Sequence, residues 1–325
     1  MTMKAIRVHE FGGPEKLMLE EVPEPKPGAG EVVVQIKAAG VNPVETYQRA
    51  GQYPTLPKLP WTPGQDGAGV VHSVGSGVTD LKVGDRVYVA GSSTGTYAEY
   101  SLSKETQVHP LPAKVTFQQG AGVGIPYGTA YRGLFQRAKS IPNEIVLVNG
   151  ASGAVGLAAV QLARAYGMLV IGTAGSDKGL SLVEEHGAHY AFNHSAADTP
   201  ERVGRIAQIR GKQGPDVILE MLTNKNLATD MKMLGRHGRI VTIGNRGNIE
   251  INARDIMGKD GAILGMSLPY ASDAERASIY SALNAALEIG VAKPVVSREY
   301  ALKDVAQAHK DIMESSSHGK LVLLP

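Results

Sequence analysis

Between Ile145 and Gly167 the chain passes from an apolar run through a glycine-rich turn into an alanine- and leucine-rich stretch, an order that few folds accept. Ile145 to Val148 has the length and character of a buried parallel strand. Gly150, Gly153 and Gly156 follow at once. Val155 to Tyr166 is free of proline and is closed by Gly167, which predicts a helix with a glycine C-cap. Strand, glycine turn and helix is the context that a dinucleotide fingerprint requires. Ala151, Gly153 and Gly156 stand in the G-x-G-x-x-G register, with alanine in first place. The competing reading is a tight turn with close strand–helix packing. The flanking strand and helix favour a nucleotide.

At 325 residues the chain exceeds the usual size of a single core, so two domains are expected. A formal net charge of +2 is too small to announce a nucleic-acid or membrane surface. With no cysteine, disulfides, thiolate catalysis and cysteine zinc sites drop out. No apolar run reaches the length of a membrane span, and the N-terminus lacks the pattern of a signal peptide. The expectation is a cytoplasmic enzyme.

The first part of the chain reads as a glycine-punctuated β domain. Strands are predicted at 3–9, 17–22, 31–38, 68–74, 86–90, 96–101 and 107–110, with a short helix opened by Pro43. The character changes near Gly120. Beyond it, strands at 145–148, 169–173, 189–192, 216–221, 239–243 and 262–266 alternate with helices near 154–166, 177–186, 199–210 and 226–234. Six such strands suit a complete doubly wound parallel sheet. A helix at 274–289 follows, then strand, helix and strand at 295–300, 302–313 and 320–324. Those last elements are expected to complete the first domain. The predicted organisation is therefore a barrel-like β domain from 1–124 and 292–325, with a nucleotide-binding α/β domain, 125–291, inserted in it.

Many ordered motifs extend this picture along essentially the whole chain. They include Phe11-Gly-Gly-Pro-Glu, Gly40-Val-Asn-Pro-Val-Glu-Thr-Tyr47, Thr62-Pro-Gly-Gln-Asp-Gly-Ala-Gly69 and Tyr97-Ala-Glu-Tyr100. Gly124-Ile-Pro-Tyr-Gly-Thr-Ala-Tyr131, Gly172-Thr-Ala-Gly175 and Ile249-Glu-Ile-Asn-Ala-Arg-Asp255 continue them. The set resembles the medium-chain dehydrogenase/reductase superfamily, in its zinc-independent zeta-crystallin branch of NADPH:quinone oxidoreductases. That resemblance implies a Rossmann doubly wound six-stranded sheet inserted into a GroES-like catalytic domain. The fingerprint departs from the family pattern at Asn149, often histidine there, and at Ala154, glycine in that branch. Neither change removes a backbone N–H.

The phosphates of the cofactor are expected over the turn Ser152, Gly153, Ala154 and Val155, where free N–H groups and the helix dipole favour an anion. An NAD enzyme places an acid at the end of the second strand to bond the ribose 2′-hydroxyl. Here Ala174 holds that position and Gly175 follows, with Ser176 and Lys178 able to accept a 2′-phosphate. Asp177 would repel such a phosphate unless it caps the next helix. By resemblance, His194 lines the adenosine phosphate pocket; the alternative is an exposed loop histidine. The expected cofactor is NADPH. Lys320 is expected to be solvated, with approach to the 2′-phosphate as the alternative.

Zinc-dependent relatives bind their catalytic metal with cysteine and histidine. At those positions this chain has Val41-Asn42 and Gln65-Asp66, so no metal site of that kind is expected. Without a Lewis acid, a readily reduced acceptor such as a quinone is favoured over an alcohol. Tyr47 is the first candidate to contact nicotinamide and substrate, because its phenol can donate to a quinone oxygen. Asn42 could bond the nicotinamide ribose or the substrate. Tyr53 and Tyr131 add apolar walls or merely pack. By resemblance, Thr129 reaches the nicotinamide side, and Asn226, Thr242, Ile243, Gly244 and Asn245 contact the cofactor. Met266, Ser267 and Leu268 lie where the nicotinamide amide meets main chain.

The resemblance implies NADPH-dependent reduction of quinones, by single electrons to semiquinones. A second enzymatic reading is reduction of α,β-unsaturated ketones and aldehydes. A third, binding of AU-rich messenger RNA or a structural role in lens, has no basic run or aromatic–basic interleaving to support it. The segment 261–268 reads as an edge strand through which a homodimer, or a tetramer of dimers, is expected.

Overall fold

The computed structural model describes residues 1–314 and 317–325. The chain forms two compact units, Met1–Ile125 with Pro294–Pro325, and Pro126–Lys293.

In the first unit β1 (Thr2–Arg7) and β2 (Met18–Pro23) form an antiparallel pair. β3 (Glu31–Val41) leads through Asn42 into α1 (Pro43–Arg49), and β4 (Asp66–Val74), β5 (Arg86–Ala90), β6 (Tyr100–Lys104) and β7 (Val108–Pro110) follow. α1 starts there because Pro43 takes the first helical position and the Glu45 carboxylate accepts the Asn42 N–H at 2.8 Å. After α2 (Phe117–Gly120), α3 (Gly124–Tyr131) carries the chain into the second unit, and a π-helical segment, Arg132–Arg137, continues it.

The second unit alternates strands with helices. These are β8 (Ile145–Val148), α4 (Ala154–Ala165), β9 (Leu169–Ala174), α5 (Asp177–Glu185), β10 (Tyr190–Asn193) and α6 (Thr199–Ile209). β11 (Val217–Glu220), α7 (Thr223–Met233), β12 (Arg239–Thr242), α8 (Ala253–Met257), β13 (Ala262–Gly265) and α9 (Asp273–Ile289) complete it. β14 (Val296–Ala301), α10 (Val305–Asp311) and β15 (Lys320–Leu324) belong to the first unit again.

The second unit's sheet is parallel throughout, in the order β10-β9-β8-β11-β12-β13. The strand order reverses between β8 and β11, which makes the carboxyl ends of those strands the natural ligand crevice of the doubly wound fold. β8 and β11 are buried along their whole length, so they are apolar without alternation except at Glu220, the last residue of β11. Ile145, Leu147, Ile171, Ile218 and Ile240 pack there with Met231 of α7. The first unit's larger sheet runs β14-β15-β3-β4-β5-β7, with β6 also paired to β3. Its core collects Val32, Val34, Ile36, Val87, Leu321 and Leu323 around the buried ring of Tyr97.

The expected strand over 96–101 does not form; β6 begins at Tyr100. Thr96 and Tyr97 instead donate their N–H groups to Gly64 O and Pro63 O, and the Thr96 hydroxyl donates to Asp66 O at 2.7 Å. The helix expected from residue 226 starts three residues earlier, at Thr223. The stretch 302–313 divides into a 3-10 turn, Leu302–Asp304, and α10.

Candidate functional site

The glycine turn closes β8 onto α4. Gly150 has a φ of +67°, a conformation that favours glycine, and its N–H and that of Ala151 are held by Thr173 Oγ1 and Thr173 O. Gly156 lies flat against this turn: a Cβ there would stand 2.5 Å from Gly150 O and 2.6 Å from Ala151 Cα. Gly153, by contrast, has no neighbour nearer its Cβ direction than Gly150 O at 3.6 Å. No side chain caps α4. Its first N–H groups are therefore the ordinary unpaired donors of a helix start, and Ser152, Gly153, Ala154 and Val155 are all partly exposed there. These are the properties of an anion cradle.

At the end of β9, Ala174 is buried and the next residue, exposed Gly175, has no side chain, so no acid stands at either position. The His194 ring lies over Gly175, with Nε2 3.0 Å from where a Cβ would be. Lys178 is exposed in the first turn of α5. The cap of α5 is Ser176, whose hydroxyl accepts the Gly179 N–H at 3.2 Å, rather than Asp177, which is the first helical residue. Gly175, Ser176, Lys178 and His194 thus form one group around the β9 and β10 ends.

The ends of β11, β12 and β13 form a second group. Thr242, Ile243, Gly244 and Asn245 line an open pocket of about 500 Å³ with Thr223, Gly247, Asn248 and Ile249. The Thr223 hydroxyl is buried without a hydrogen-bond partner although its residue lines this pocket. Gly244 lets β12 approach the neighbouring loop, because a Cβ would meet Met221 O at 2.2 Å. Asn226 donates to Glu220 Oε1 at 3.0 Å and so is tied to the strand end. The Met266 N–H is used in the sheet, donating to Thr242 O at 3.1 Å. Leu268 is buried and packs against α3 beside Gly128, the neighbour of the buried Thr129. The Tyr131 ring packs on Phe135 at a tilt of 59°, 4.8 Å between centroids, which makes it a packing residue.

Beneath the glycine turn sits a buried acid pair. Asn149 Nδ2 donates to Glu220 Oε2 at 2.6 Å and Asp230 Oδ1 at 2.9 Å. Burial, then the neighbouring Glu220 carboxylate, pushes the Asp230 carboxyl well above the usual carboxylate range. Asn149 gives this pair two N–H donors without a titratable ring.

A donor-rich anion cradle at the start of α4 and an orphaned hydroxyl in a pocket on the same sheet edge fit a dinucleotide. The second unit therefore has residues suited to that group.

The first unit contributes a buried polar network around α1. Glu45 is inaccessible to solvent and accepts four hydrogen bonds, from Asn42 N (2.8 Å), Asn42 Nδ2 (3.3 Å), Gln65 N (3.2 Å) and the Tyr97 hydroxyl (2.6 Å). Burial pushes it up to about 7, while the Lys320 ammonium and the Tyr97 hydroxyl pull it back. Lys320 is buried, against the expectation of a solvated side chain. Its Nζ donates to Asn42 Oδ1 at 2.5 Å and to Asp66 Oδ2 at 2.8 Å. Asp66 Oδ1 accepts the Ile125 N–H at 2.8 Å. On the other side, Arg49 Nη1 donates to His309 Nδ1 at 3.3 Å and His309 Nε2 meets the Tyr97 oxygen at 3.3 Å. Tyr47 is half-buried on α1, and Tyr53 is half-buried beyond it.

Sequence reasoning named Asn42 and Tyr47, met Asp66 only as the residue at a metal-ligand position of zinc relatives, read Lys320 as solvated, and missed Glu45 and Thr223. A single lysine in the apolar run Lys320-Leu-Val-Leu-Leu was the signal against a solvated reading, since a lone charge inside a buried strand needs a partner.

Residues 28–113 match the profile of the Alcohol dehydrogenase GroES-like domain, and residues 154–288 that of the Zinc-binding dehydrogenase family. A quinone oxidoreductase of Rattus norvegicus is 49% identical over 324 residues, covering 99% of this chain and 98% of the relative. The solved quinone oxidoreductase of Pseudomonas syringae superposes with a TM-score of 0.88 at 32% identity, covering 99% of this chain and 100% of that one. The Escherichia coli quinone oxidoreductase complexed with NADPH gives a TM-score of 0.87 at 31% identity, with the same coverage. The chain belongs to the quinone oxidoreductase family of the medium-chain dehydrogenases/reductases, with a Rossmann sheet inserted into a GroES-like domain.

Proposed function

We propose that this protein is an NADPH-dependent quinone reductase that works without a catalytic metal, is cytoplasmic, and acts as a homodimer or a tetramer of dimers. The observation that carries the reading is the strand end beside the anion cradle: no acid at Ala174 or Gly175, and instead Ser176, Lys178 and His194. An acid there would select a free 2′-hydroxyl, whereas this set suits a 2′-phosphate. The Escherichia coli relative, complexed with NADPH, supports the same choice.

Ser152, Gly153, Ala154 and Val155 would hold the pyrophosphate at the start of α4. Thr242, Ile243, Gly244, Asn245 and Asn226, with Thr223, would take the middle of the cofactor. Thr129 and the main chain of Ser267 and Leu268 would meet the nicotinamide end, the Met266 N–H already being engaged. NADPH, when bound, supplies the reducing equivalents. Tyr47 offers a phenolic O–H to a quinone oxygen and positions the ring, and water supplies the protons of the reduced product. At the positions where zinc relatives carry ligands, Asn42 is a neutral amide and Asp66 is engaged by the Lys320 ammonium, so polarisation by a metal has no place in this scheme. Electrons are proposed to pass singly. A quinone radical seen by electron paramagnetic resonance before hydroquinone accumulates supports that mode; hydroquinone formed with no radical stage contradicts it.

Lys178→Ala is expected to weaken NADPH binding about tenfold, the value of one charge-assisted contact, and to leave NADH nearly unchanged. Equal loss for both, in paired fluorescence titrations, would mean that Lys178 is only a surface charge. The β13 edge is the proposed dimer interface, since its outer side pairs with no strand among the described residues and Ile263 is exposed on it. Ile263→Lys is expected to shift the mass measured by light scattering to that of the monomer; an unchanged mass places the interface elsewhere.

A further inference from the structure

Glu220, the last residue of β11, is inaccessible to solvent, and its side-chain oxygens are met by N–H donors from two loops. Oε2 accepts from Asn149 Nδ2 at 2.6 Å, just after β8. Oε1 accepts the Leu222 N–H at 2.5 Å and Asn226 Nδ2 at 3.0 Å, at the entrance to α7. One carboxylate therefore has an arm on each loop.

The first arm reaches the glycine turn. With Nδ2 turned to the acids, Asn149 presents Oδ1 to the Thr173 hydroxyl, which donates to it at 3.2 Å. The same hydroxyl oxygen accepts the Gly150 N–H at 3.2 Å. Each bond sets the direction of the next, because a carboxylate only accepts and a backbone N–H only donates. The second arm holds the segment around Thr223, whose side chain lines the pocket with Thr242 and Ile249. β8 and β11 are the neighbouring strands at which the sheet order reverses, so the arms grip both sides of the ligand crevice.

Asp230 of α7 is placed differently. Its Oδ1 accepts from Asn149 Nδ2 at 2.9 Å, but its Oδ2 is buried with no donor against it among the described residues. A buried carboxyl oxygen that meets no donor is where an acid keeps its proton. Burial and the Glu220 carboxylate beside it act in that direction.

We propose that Glu220 is a positioning residue for the dinucleotide, setting the glycine turn and the pocket-side loop relative to each other, with Asp230 as its neutral companion, protonated on Oδ2. This rests on the proposed NADPH-dependent reading and extends it to how the two halves of that site are held together.

The test compares two isosteric changes, Asp230→Asn and Glu220→Gln. Asparagine at 230 keeps an acceptor for Asn149 and replaces the O–H by an N–H. Glutamine at 220 sets an N–H where one of the two arms needs an acceptor. NADPH affinity is read by fluorescence titration, stability by Tm, and turnover by kcat at saturating NADPH. Asp230→Asn is expected to leave all three unchanged. Glu220→Gln is expected to bind NADPH about tenfold more weakly, as the loss of one hydrogen bond implies, with kcat unchanged. Equal loss in the two variants would overturn the proposal and leave the pair as a plain buried acid cluster. Normal NADPH affinity in Glu220→Gln would overturn it too, whatever the Tm, because the carboxylate would then support only the core. Should Glu220→Gln not fold, Thr173→Val breaks the relay one bond later without touching a charge. Weaker NADPH binding is expected there, and normal binding would overturn the proposal. A wild-type protein that binds NADPH but reduces no quinone would sink the proposed function alone; the titrations would still decide Glu220.

Discussion

Gly156→Ala is expected to damage both the fold and the nucleotide site, while Gly153→Ala damages only the site. The added Cβ at Gly156 would lie 2.5 Å from Gly150 O and 2.6 Å from Ala151 Cα, and these are backbone atoms with no rotamer to escape into. Overpacking of this kind costs about 1–3 kcal/mol, and it must be relieved by moving the turn itself. At Gly153 the nearest atom is 3.6 Å away, which is ordinary contact, and the backbone there is extended with φ −77°. An alanine therefore fits the empty turn but stands between the helix start and an incoming phosphate. The expected pattern is a lower Tm with at least about tenfold weaker NADPH binding for Gly156→Ala, and an unchanged Tm with similarly weakened binding for Gly153→Ala. If both variants bind NADPH normally, the cradle at α4 is not where the phosphates sit.

The second large effect concerns acid stability. His309 is buried and faces the Arg49 guanidinium, so burial first and the nearby cation second push it down to about 3. The folded state therefore refuses a proton that the unfolded chain takes up near 6.5, its ordinary value. The resulting stabilisation is complete above pH 6.5 and disappears as pH falls towards 3. Its size over that window is about 5 kcal/mol, from a shift of 3.5 pH units at about 1.4 kcal/mol each. His109, lowered to about 4 by burial, acts in the same sense. Glu45 acts in the opposite sense. Its pKa is raised from 4.5 to about 7, so its contribution is complete below pH 4.5 and fades as pH rises through 7. Asp230, raised by burial, acts in the same sense as Glu45, so between pH 4.5 and 6.5 the two carboxyl groups oppose the two histidines, and the histidines dominate below. His309→Gln removes the titration without removing hydrogen-bonding ability. The stability advantage of the wild type over this variant, from urea unfolding at a series of pH values, is expected to shrink by about 5 kcal/mol between pH 7 and 3. Parallel pH curves for the two proteins would contradict the account of the Arg49–His309–Tyr97 chain.

What was legible in the sequence was local. The strand, turn and helix from Ile145 follow from residue type at adjacent positions, and so does the start of α1 at Pro43. The six parallel strands were legible because buried strands are short apolar runs separated by helical periods. The failures all involve distant partners. Thr96 and Tyr97 read as strand, but the Pro63–Gly64 backbone and Asp66 O claim their donors. Asp177 looked like a cap until the neighbouring Ser176 took the bond. Lys320 read as solvated because its partners, Asn42 and Asp66, lie 278 and 254 residues away in the chain. No period or spacing encodes such a pairing. The Glu220–Asp230 pair and the Thr223 hydroxyl were hidden for the same reason: their meaning is set by burial, which one residue alone does not announce.

The central claim is that this site takes NADPH and passes its electrons to quinones. The most direct measurement is the rate of nucleotide oxidation by the purified wild-type protein in four parallel reactions, NADPH or NADH with an orthoquinone or an alkenal. The account predicts turnover of the quinone with NADPH, little with NADH, and little of the alkenal with either. Rapid alkenal reduction with no quinone turnover, or equal rates with both nucleotides, would contradict it.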